Sequence, residues 1–178
     1  LAFRRSEVIR REQRRGGQLI RVGAGGTGPD LSAGRPFGGI ADAVRVGVTT
    51  AELDQLAEKH VRAHGGVPTF KGYRGYPASI CASPNEMVVH GIPGPYALKE
   101  GDILSVDIGV TLGGFVSDCA YTFAVGTISP EAGRLLDVCR QALAAGVAEC
   151  GPGNHLSDIG HAVQKITEAA GFGVIRSL

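Results

Sequence analysis

The clearest hydrophobic pattern along the chain is a helical repeat that starts just after residue 49. Thr49 is followed three positions later by Glu52, the arrangement of a capping box. The positions that then recur at intervals of three and four residues are Leu53, Leu56, Ala57, His60 and Val61. This spacing predicts an amphipathic helix that ends at Gly65-Gly66.

Two further helices are predicted in the last third of the chain. Ser129-Pro130-Glu131 combines an N-cap residue, a proline in the first helical position and an acid in the first turn. The positions predicted to face inward from this helix are Leu135, Leu136, Cys139, Ala142, Leu143 and Val147. The helix is expected to end at Gly151-Pro152, and a third helix to run from about Ser157 to Ala170.

Between these helices, residues 103–125 alternate in the manner of two strands and predict a β-hairpin. If Leu112 and Gly113 form the turn, Asp107 lies directly opposite Asp118, and Gly109 leaves free space beside them. A Leu-Gly turn is not the preferred type, so a bulge could shift this register. Helices and a hairpin in this order predict an α+β fold rather than a parallel sheet.

The two aspartates on one face of the hairpin are the most informative chemistry in the sequence. Like charges opposed on a sheet are destabilising. Such a pair is tolerated when it is solvated, when it shares a proton or when it binds a cation. Two carboxylates at this separation suit a two-metal hydrolase. A solvated face of an edge hairpin is the structural alternative.

Composition narrows the class of protein without naming it. The 18 basic and 17 acidic residues leave a net charge of +1, which gives no indication of nucleic-acid binding. The hydrophobic content is 43% without a membrane-length apolar run, and no signal peptide is recognised. The four cysteines lack CxxC spacing, which favours free thiols in a reducing cytoplasm.

Histidines and glycines offer further candidate sites. His90 follows Val88-Val89 and is predicted at the end of an apolar strand, where it is either catalytic or structural. The remaining histidines, His60, His64, His155 and His161, are interpreted as structural or surface residues. Residues 23–28 match GxGxxG, but prolines and glycines follow where a nucleotide-binding helix must begin, so a dinucleotide site is disfavoured.

Taken together, residues 45–178 resemble type I methionine aminopeptidases. The segments that carry the resemblance are Gly72-Tyr73-Arg74-Gly75-Tyr76-Pro77, Ser79 to Glu86, Val89-His90-Gly91-Ile92-Pro93, the hairpin with Asp107 and Asp118, and the outer pieces Gly47 to Thr50, Ser129-Pro130-Glu131 and Ser157 to Ala162. The resemblance implies the pita-bread fold, here its N-terminal half plus the start of the second half.

The resemblance also implies a role for each matching residue. Asp107 and Asp118 match metal ligands, and Asp118 matches the bridging one. His90 matches the catalytic, substrate-binding histidine that contacts the scissile amide. The residues that match walls of the pocket for the methionine side chain are Phe70, Tyr73, Tyr76 and Cys81. Two divalent ions (cobalt, manganese, iron or zinc) are expected in the intact protein, and oxygen ligands alone do not select among them.

The sequence also departs from the family pattern. The family's remaining ligands, a histidine in a GHGIG segment and two glutamates, and a second catalytic histidine come after the point where this sequence stops. We therefore expect a truncated catalytic domain over residues 41–178 that binds metal weakly and is inactive. Residues 1–40 are rich in arginine and glycine where the family has an amphipathic helix, which suggests a frame error.

The function implied for the intact protein is removal of the initiator methionine from nascent polypeptides in the cytoplasm. It is expected to act at the ribosome as a monomer, without binding membranes or nucleic acid directly. Two alternatives stay open. One is a non-catalytic binding protein of the same fold, and the other is a peptidase acting on Xaa-Pro bonds.

Overall fold

The computed structural model describes residues 39–176. The helices are α1 (Ile40–Ala43), α2 (Thr50–Ala63), α3 (Pro130–Ala148) and α4 (Leu156–Ala169), and a short 3₁₀ turn spans Tyr73–Gly75. The strands are β1 (Val67–Pro68), β2 (Ile80–Pro84), β3 (Ile103–Leu112) and β4 (Phe115–Ala124). The GxGxxG segment and the possible frame error over residues 1–40 fall, apart from Gly39 and Ile40, outside the described residues.

The sheet is antiparallel throughout and is organised around β3. Strand β4 pairs with β3 along its whole length. The other edge of β3 is shared, because β2 pairs with its first half and the short β1 with its second half. Separate helices beside an antiparallel sheet confirm the predicted α+β class.

One face of the sheet and the helix α2 form the hydrophobic core. Leu104, Val106, Ile108 and Val110 point to this face from alternate positions of β3. The other fully buried members are Ile40, Leu53, Ala57, Val61, Ile80, Ala82, Leu98 and Val125. The predicted capping box begins α2, since the Thr49 side chain accepts from the Glu52 N–H and the Glu52 carboxylate accepts from the Thr49 N–H.

Two partly buried hydrogen bonds to one carboxylate tie α2 to the start of β2. The Oδ1 atom of Asp54 accepts from the backbone N–H groups of Ser79 at 2.7 Å and Ile80 at 3.0 Å. Both donors lie where β2 enters the core. Asp54 therefore satisfies two backbone groups that would otherwise be unpaired at that point.

Helices α3 and α4 pack against one another. A Cβ atom on Gly146 would lie 3.0 Å from Val163 Cγ2, so the glycine permits a close helix contact. Ser129 and Pro130 begin α3 as predicted, and α4 lies within one residue of its predicted bounds. Of the residues predicted to face inward, Leu136 and Ala142 are buried, while the other four are half-buried.

Candidate active site

The candidate site lies on the sheet face opposite the hydrophobic core. The odd-numbered positions of β3 point to this face, and Asp107 and Gly109 are at its middle. Gly109 pairs directly with Asp118 of β4, while Asp107 pairs with Ala120. The two aspartates are therefore diagonal neighbours on one face, and their carboxyl groups are close enough to share a hydrogen bond.

The predicted direct pairing of Asp107 with Asp118 is wrong by two residues. The turn consists of Gly113 and Gly114, with φ values of 59° and 84°, and Leu112 pairs with Phe115 as part of the strands. Two positive φ angles in succession define a type I′ turn, which a Gly-Gly pair adopts without strain and a leucine does not. Because the error is an even number, both aspartates stay on the predicted face.

Asp107 is in an unusual electrostatic position. Burial and the nearby Asp118 raise the pKa of Asp107 to about 7. Its Oδ1 atom is buried and has no hydrogen-bond partner among the described residues. A buried carboxylate oxygen without a donor is costly in a folded protein, and a bound proton or cation relieves that cost. The solvated-face alternative therefore does not fit Asp107, although the Asp118 side chain is exposed.

The space above Gly109 is filled, contrary to the expectation that it stays free. A Cβ atom on Gly109 would lie 2.6 Å from Cε1 of Phe70, so the phenyl ring packs directly on the glycine backbone. The Thr69 N–H donates to the Gly109 carbonyl at 2.9 Å and holds the segment in place. Phe70 therefore packs on β3 at Gly109, two residues from Asp107. The direct partner of Gly109 on β4 is Asp118.

Cys81 and Tyr76 lie on the other side of Asp107. Cys81 of β2 is the direct cross-strand partner of Asp107 and is buried. Burial raises the pKa of the Cys81 thiol, which keeps it neutral beside the carboxylates. The Tyr76 hydroxyl lies within hydrogen-bonding reach of Cys81, and burial is the largest cause that raises the pKa of this phenol. As expected, all four cysteines are free.

Two of the residues expected at the site are exposed. Tyr73 is 64% exposed in the 3₁₀ turn, where the Arg74 guanidinium lies 5.5 Å from its ring centroid. His90 is also exposed, and it lies in a loop rather than at the end of a strand, which corrects the prediction. The segment 85–90 has no strand pairing, and the φ of His90 is 59°.

Sequence reasoning missed the polar residues that hold this loop. The buried Asp102 accepts from Asn85 Nδ2, from the Tyr96 hydroxyl and from the Lys99 N–H. Ser83 is 3% exposed and accepts from the Gly91 N–H. Asn85 has a φ of 52°, and an asparagine just after a strand is a recognisable signal for such a turn.

The comparisons with known proteins point in one direction. Residues 33–178 match the family described as metallopeptidase family M24. The chain belongs to metallopeptidase family M24. The family accounts for the fold, and membership in a metallopeptidase family implies divalent metal ions as cofactors.

Similar curated proteins and solved structures agree with this family. A methionine aminopeptidase of Clostridium acetobutylicum is 50% identical over 135 residues, covering 75% of this chain and 54% of that protein. One from Clostridium perfringens is 47% identical over 137 residues, covering 77% and 55%. These proteins confirm the resemblance to methionine aminopeptidases, and the chain spans about half the length of each.

The structural comparison confirms the pita-bread fold. A methionine aminopeptidase from Thermotoga maritima has a TM-score of 0.75 at 36% identity, covering 78% of this chain and 56% of that one. One from Rickettsia prowazekii has a TM-score of 0.72 at 38% identity, covering 73% and 52%. The prolidase of Pyrococcus furiosus shares the fold, with a TM-score of 0.67 at 18% identity.

The residues present fit one part of an M24 metal centre. Carboxylate oxygens suit the divalent ions of such hydrolases, and the Oδ1 atom of Asp107 is unpartnered, although the Ile108 N–H acts on the same carboxyl group and lowers its pKa. Within residues 39–176 there is no group of three or more histidine, cysteine, aspartate or glutamate side chains arranged to hold a metal. In the same part of the chain, no helix is both long and apolar enough to cross a membrane.

Proposed function

We propose that this chain contributes metal-binding and substrate-binding parts of a methionine aminopeptidase. The observation that supports this most is the Asp107–Asp118 pair, because the buried Oδ1 of Asp107 lacks a donor while a second carboxyl group is beside it. In the intact protein these two side chains would hold divalent ions, with Mn²⁺, Fe²⁺, Co²⁺ and Zn²⁺ as the candidates. When bound, such ions polarise a scissile carbonyl and lower the pKa of a water molecule.

The side chains around the pair suit an unbranched apolar group. Phe70 covers Gly109, and Cys81 is directly across the strand from Asp107. Tyr76 is half-buried next to Cys81. A flexible thioether packs well against aromatic and sulfur surfaces of this kind. We therefore assign Phe70, Tyr76 and Cys81 to the pocket for the substrate methionine, and Tyr73 to its exposed edge.

His90 would bind the substrate peptide. Its loop leaves β2 after Pro84 and returns to it at Gly91, which hydrogen-bonds Ala82 and Ser83, and β2 is also the strand that carries Cys81. An exposed imidazole there is available to hydrogen-bond the scissile amide of a bound peptide. The substrates would be nascent polypeptides that begin with methionine. We further propose that the protein works as a monomer in the cytoplasm, at the ribosome.

The function is tested with the full-length protein and the peptide Met-Ala-Ser in the presence of Mn²⁺ or Co²⁺. We expect release of methionine, and Asp118→Asn should reduce kcat/KM by at least about 100-fold because a metal ligand is lost. The matched control is Asp137→Asn, an exposed aspartate on α3, which should leave the rate unchanged. Full activity in the Asp118 variant, or preference for Xaa-Pro peptides, would contradict the proposal.

The 178-residue chain by itself should behave differently from the full-length protein. We expect no turnover of Met-Ala-Ser, and Mn²⁺ binding in the millimolar range or weaker, because catalytic metal sites use about three protein ligands per ion. Isothermal titration of this chain with Mn²⁺ measures the affinity, and the Asp107→Asn variant shows whether the binding is at the pair. Micromolar binding that depends on Asp107, or turnover by this chain, would overturn the expectation.

A further inference from the structure

The backbone of His90 is held in a conformation that a residue with a Cβ atom rarely adopts. Its φ of 59° lies in the left-handed region. Residues 87–90 are exposed, and although the Met87 sulfur lies against Gly91, burial of the His90 side chain does not explain the conformation. The explanation must come from the residues that anchor the ends of the loop 85–91.

The C-terminal anchor is a set of hydrogen bonds at Gly91. The Gly91 N–H donates to Ser83 Oγ at 3.0 Å, and this N–H belongs to the peptide plane that also contains the His90 carbonyl. The Gly91 carbonyl accepts from the Ala82 N–H at 2.9 Å and lies 3.0 Å from the Tyr76 hydroxyl. Fixing these groups fixes the direction in which the chain leaves His90.

The N-terminal anchor is separate and lies at Asn85. Its Nδ2 donates to Asp102 Oδ1 at 2.9 Å, and its Oδ1 accepts from the Ile103 N–H at 3.1 Å. Both ends of the loop are thus attached to the sheet, through different side chains. The Gly91 end is the one adjacent to His90 and therefore controls the orientation of that residue most directly.

We propose that Ser83 and Tyr76 are positioning residues for His90. Ser83 holds the peptide between His90 and Gly91. The Tyr76 hydroxyl lies 3.0 Å from the Gly91 carbonyl and 3.0 Å from the Ile80 carbonyl, so it links the end of the loop to β2, in addition to the contribution of the Tyr76 ring to the pocket wall. The significance for catalysis rests on the proposed function, which assigns His90 to the substrate. The inference that Ser83 and Tyr76 hold the Gly91 end of the loop depends only on the hydrogen bonds at Gly91.

The anchoring is tested by amide hydrogen exchange on the 178-residue chain. Ser83→Ala should speed exchange of the Gly91 N–H by at least about 5-fold, because its acceptor is removed. Ser83→Thr keeps a hydroxyl and should restore slow exchange. The matched control is Ser105→Ala, since Ser105 is the direct cross-strand partner of Ser83 but hydrogen-bonds Thr122 instead. It should leave Gly91 exchange unchanged.

A control for general loss of structure and a second variant complete the exchange experiment. Amides of β3 and β4 should keep their wild-type exchange rates in every variant, which shows that the sheet is intact. Tyr76→Phe keeps the ring, removes the hydroxyl and should also speed Gly91 exchange. A wild-type Gly91 rate in both Ser83→Ala and Tyr76→Phe would overturn the inference.

The link to catalysis is tested in the full-length protein with Met-Ala-Ser. Ser83→Ala should lower kcat by at least about 10-fold with little change in KM, Ser83→Thr should recover most of kcat, and Ser105→Ala should match the wild type. Wild-type kcat in Ser83→Ala would overturn the positioning role. If the wild-type protein fails to cleave the peptide while Gly91 exchange still responds to Ser83→Ala, the proposed function fails and the anchoring stands.

Discussion

Replacing Gly91 with alanine should lower the free energy of unfolding by about 3–4 kcal/mol. A Cβ atom at this position would overlap the Ala82 carbonyl oxygen and the Met87 sulfur. The carbonyl belongs to β2 and cannot move without disturbing the core. Relief would require the loop to shift away, which breaks the hydrogen bonds from Gly91 to Ser83 and from Ala82 to Gly91. Urea unfolding followed by circular dichroism measures the change.

The matched control for this variant is Gly94→Ala in the same connection. The nearest atom to a Cβ at Gly94 is the Ile92 carbonyl oxygen at 3.9 Å, and neither glycine has a positive φ. Alanine there should change stability by no more than about 0.5 kcal/mol, or raise it slightly by restricting the unfolded chain. Equal losses in the two variants would show that close backbone approach at Gly91 is not the cause.

The start signals of the helices could be predicted from the sequence because they are local. Thr49 and Glu52 are three residues apart, and Ser129 directly precedes Pro130, so each cap is contained within one helical turn. Their hydrogen bonds form whatever the rest of the chain does. The faces that these helices bury were less predictable. Gly146 is buried against α4, a contact that no property of α3 alone indicates.

The hairpin shows which part of a sheet the alternation of residues determines. Alternation has a period of two, so it places Asp107 and Asp118 on one face but does not distinguish registers that differ by two residues. The turn decides the register, and Gly113-Gly114 is the pair able to adopt two positive φ angles in succession. That information is present in the sequence, because a leucine is strained at a positive φ that a glycine adopts freely.

The contacts around the aspartates could not be predicted from spacing. Phe70 reaches Gly109 across 39 positions of the chain, and the Tyr76 hydroxyl reaches the Gly91 carbonyl across 15. Such contacts depend on how β1 and β2 share one edge of β3, and no local pattern specifies that arrangement. The resemblance to a known family named Phe70 and Tyr76 without describing what they touch.

The second large effect concerns two aspartates near or on β3 whose pKa values move in opposite directions. Burial and Asp118 raise the pKa of Asp107 to about 7. Burial also acts to raise the pKa of Asp102, but hydrogen bonds from Asn85, the Lys99 N–H and Tyr96 outweigh it and lower that pKa below its usual value. The same substitution, aspartate to asparagine, should therefore have opposite effects at the two positions.

At position 107 the direction in which stability changes with pH follows from proton uptake by the carboxyl group. Between about pH 4 and pH 7 the folded chain keeps a proton on Asp107 that the unfolded chain has lost, so stability falls as pH rises through this window. Asp107→Asn removes that loss. At pH 8 without added metal we expect the variant to be more stable than the wild type by about 1–2 kcal/mol, a figure reduced for solvent screening. Near pH 4 the two should be equally stable.

At position 102 the dependence is reversed. The folded-state pKa is lowered, so the stability that the carboxylate contributes is present above about pH 4 and is lost as pH falls further. Asp102→Asn should cost about 2–3 kcal/mol at pH 8, because donors from three residues then face an amide that offers one acceptor. The difference from the wild type should shrink as the pH approaches 3.

Urea unfolding of the wild type and both variants between pH 3 and pH 8 tests the pair together. Opposite changes in the free energy of unfolding at pH 8 would show that the Asp102 carboxylate stabilises the fold and that the Asp107 carboxylate destabilises it. A destabilised Asp107→Asn variant at pH 8 would show that the metal-free fold stabilises the Asp107 carboxylate, and it would remove the main support for a cation at this position. A stabilised variant would show that the Asp107 carboxylate lowers the free energy of unfolding of the metal-free protein. That result is expected for a residue whose role is binding rather than stability.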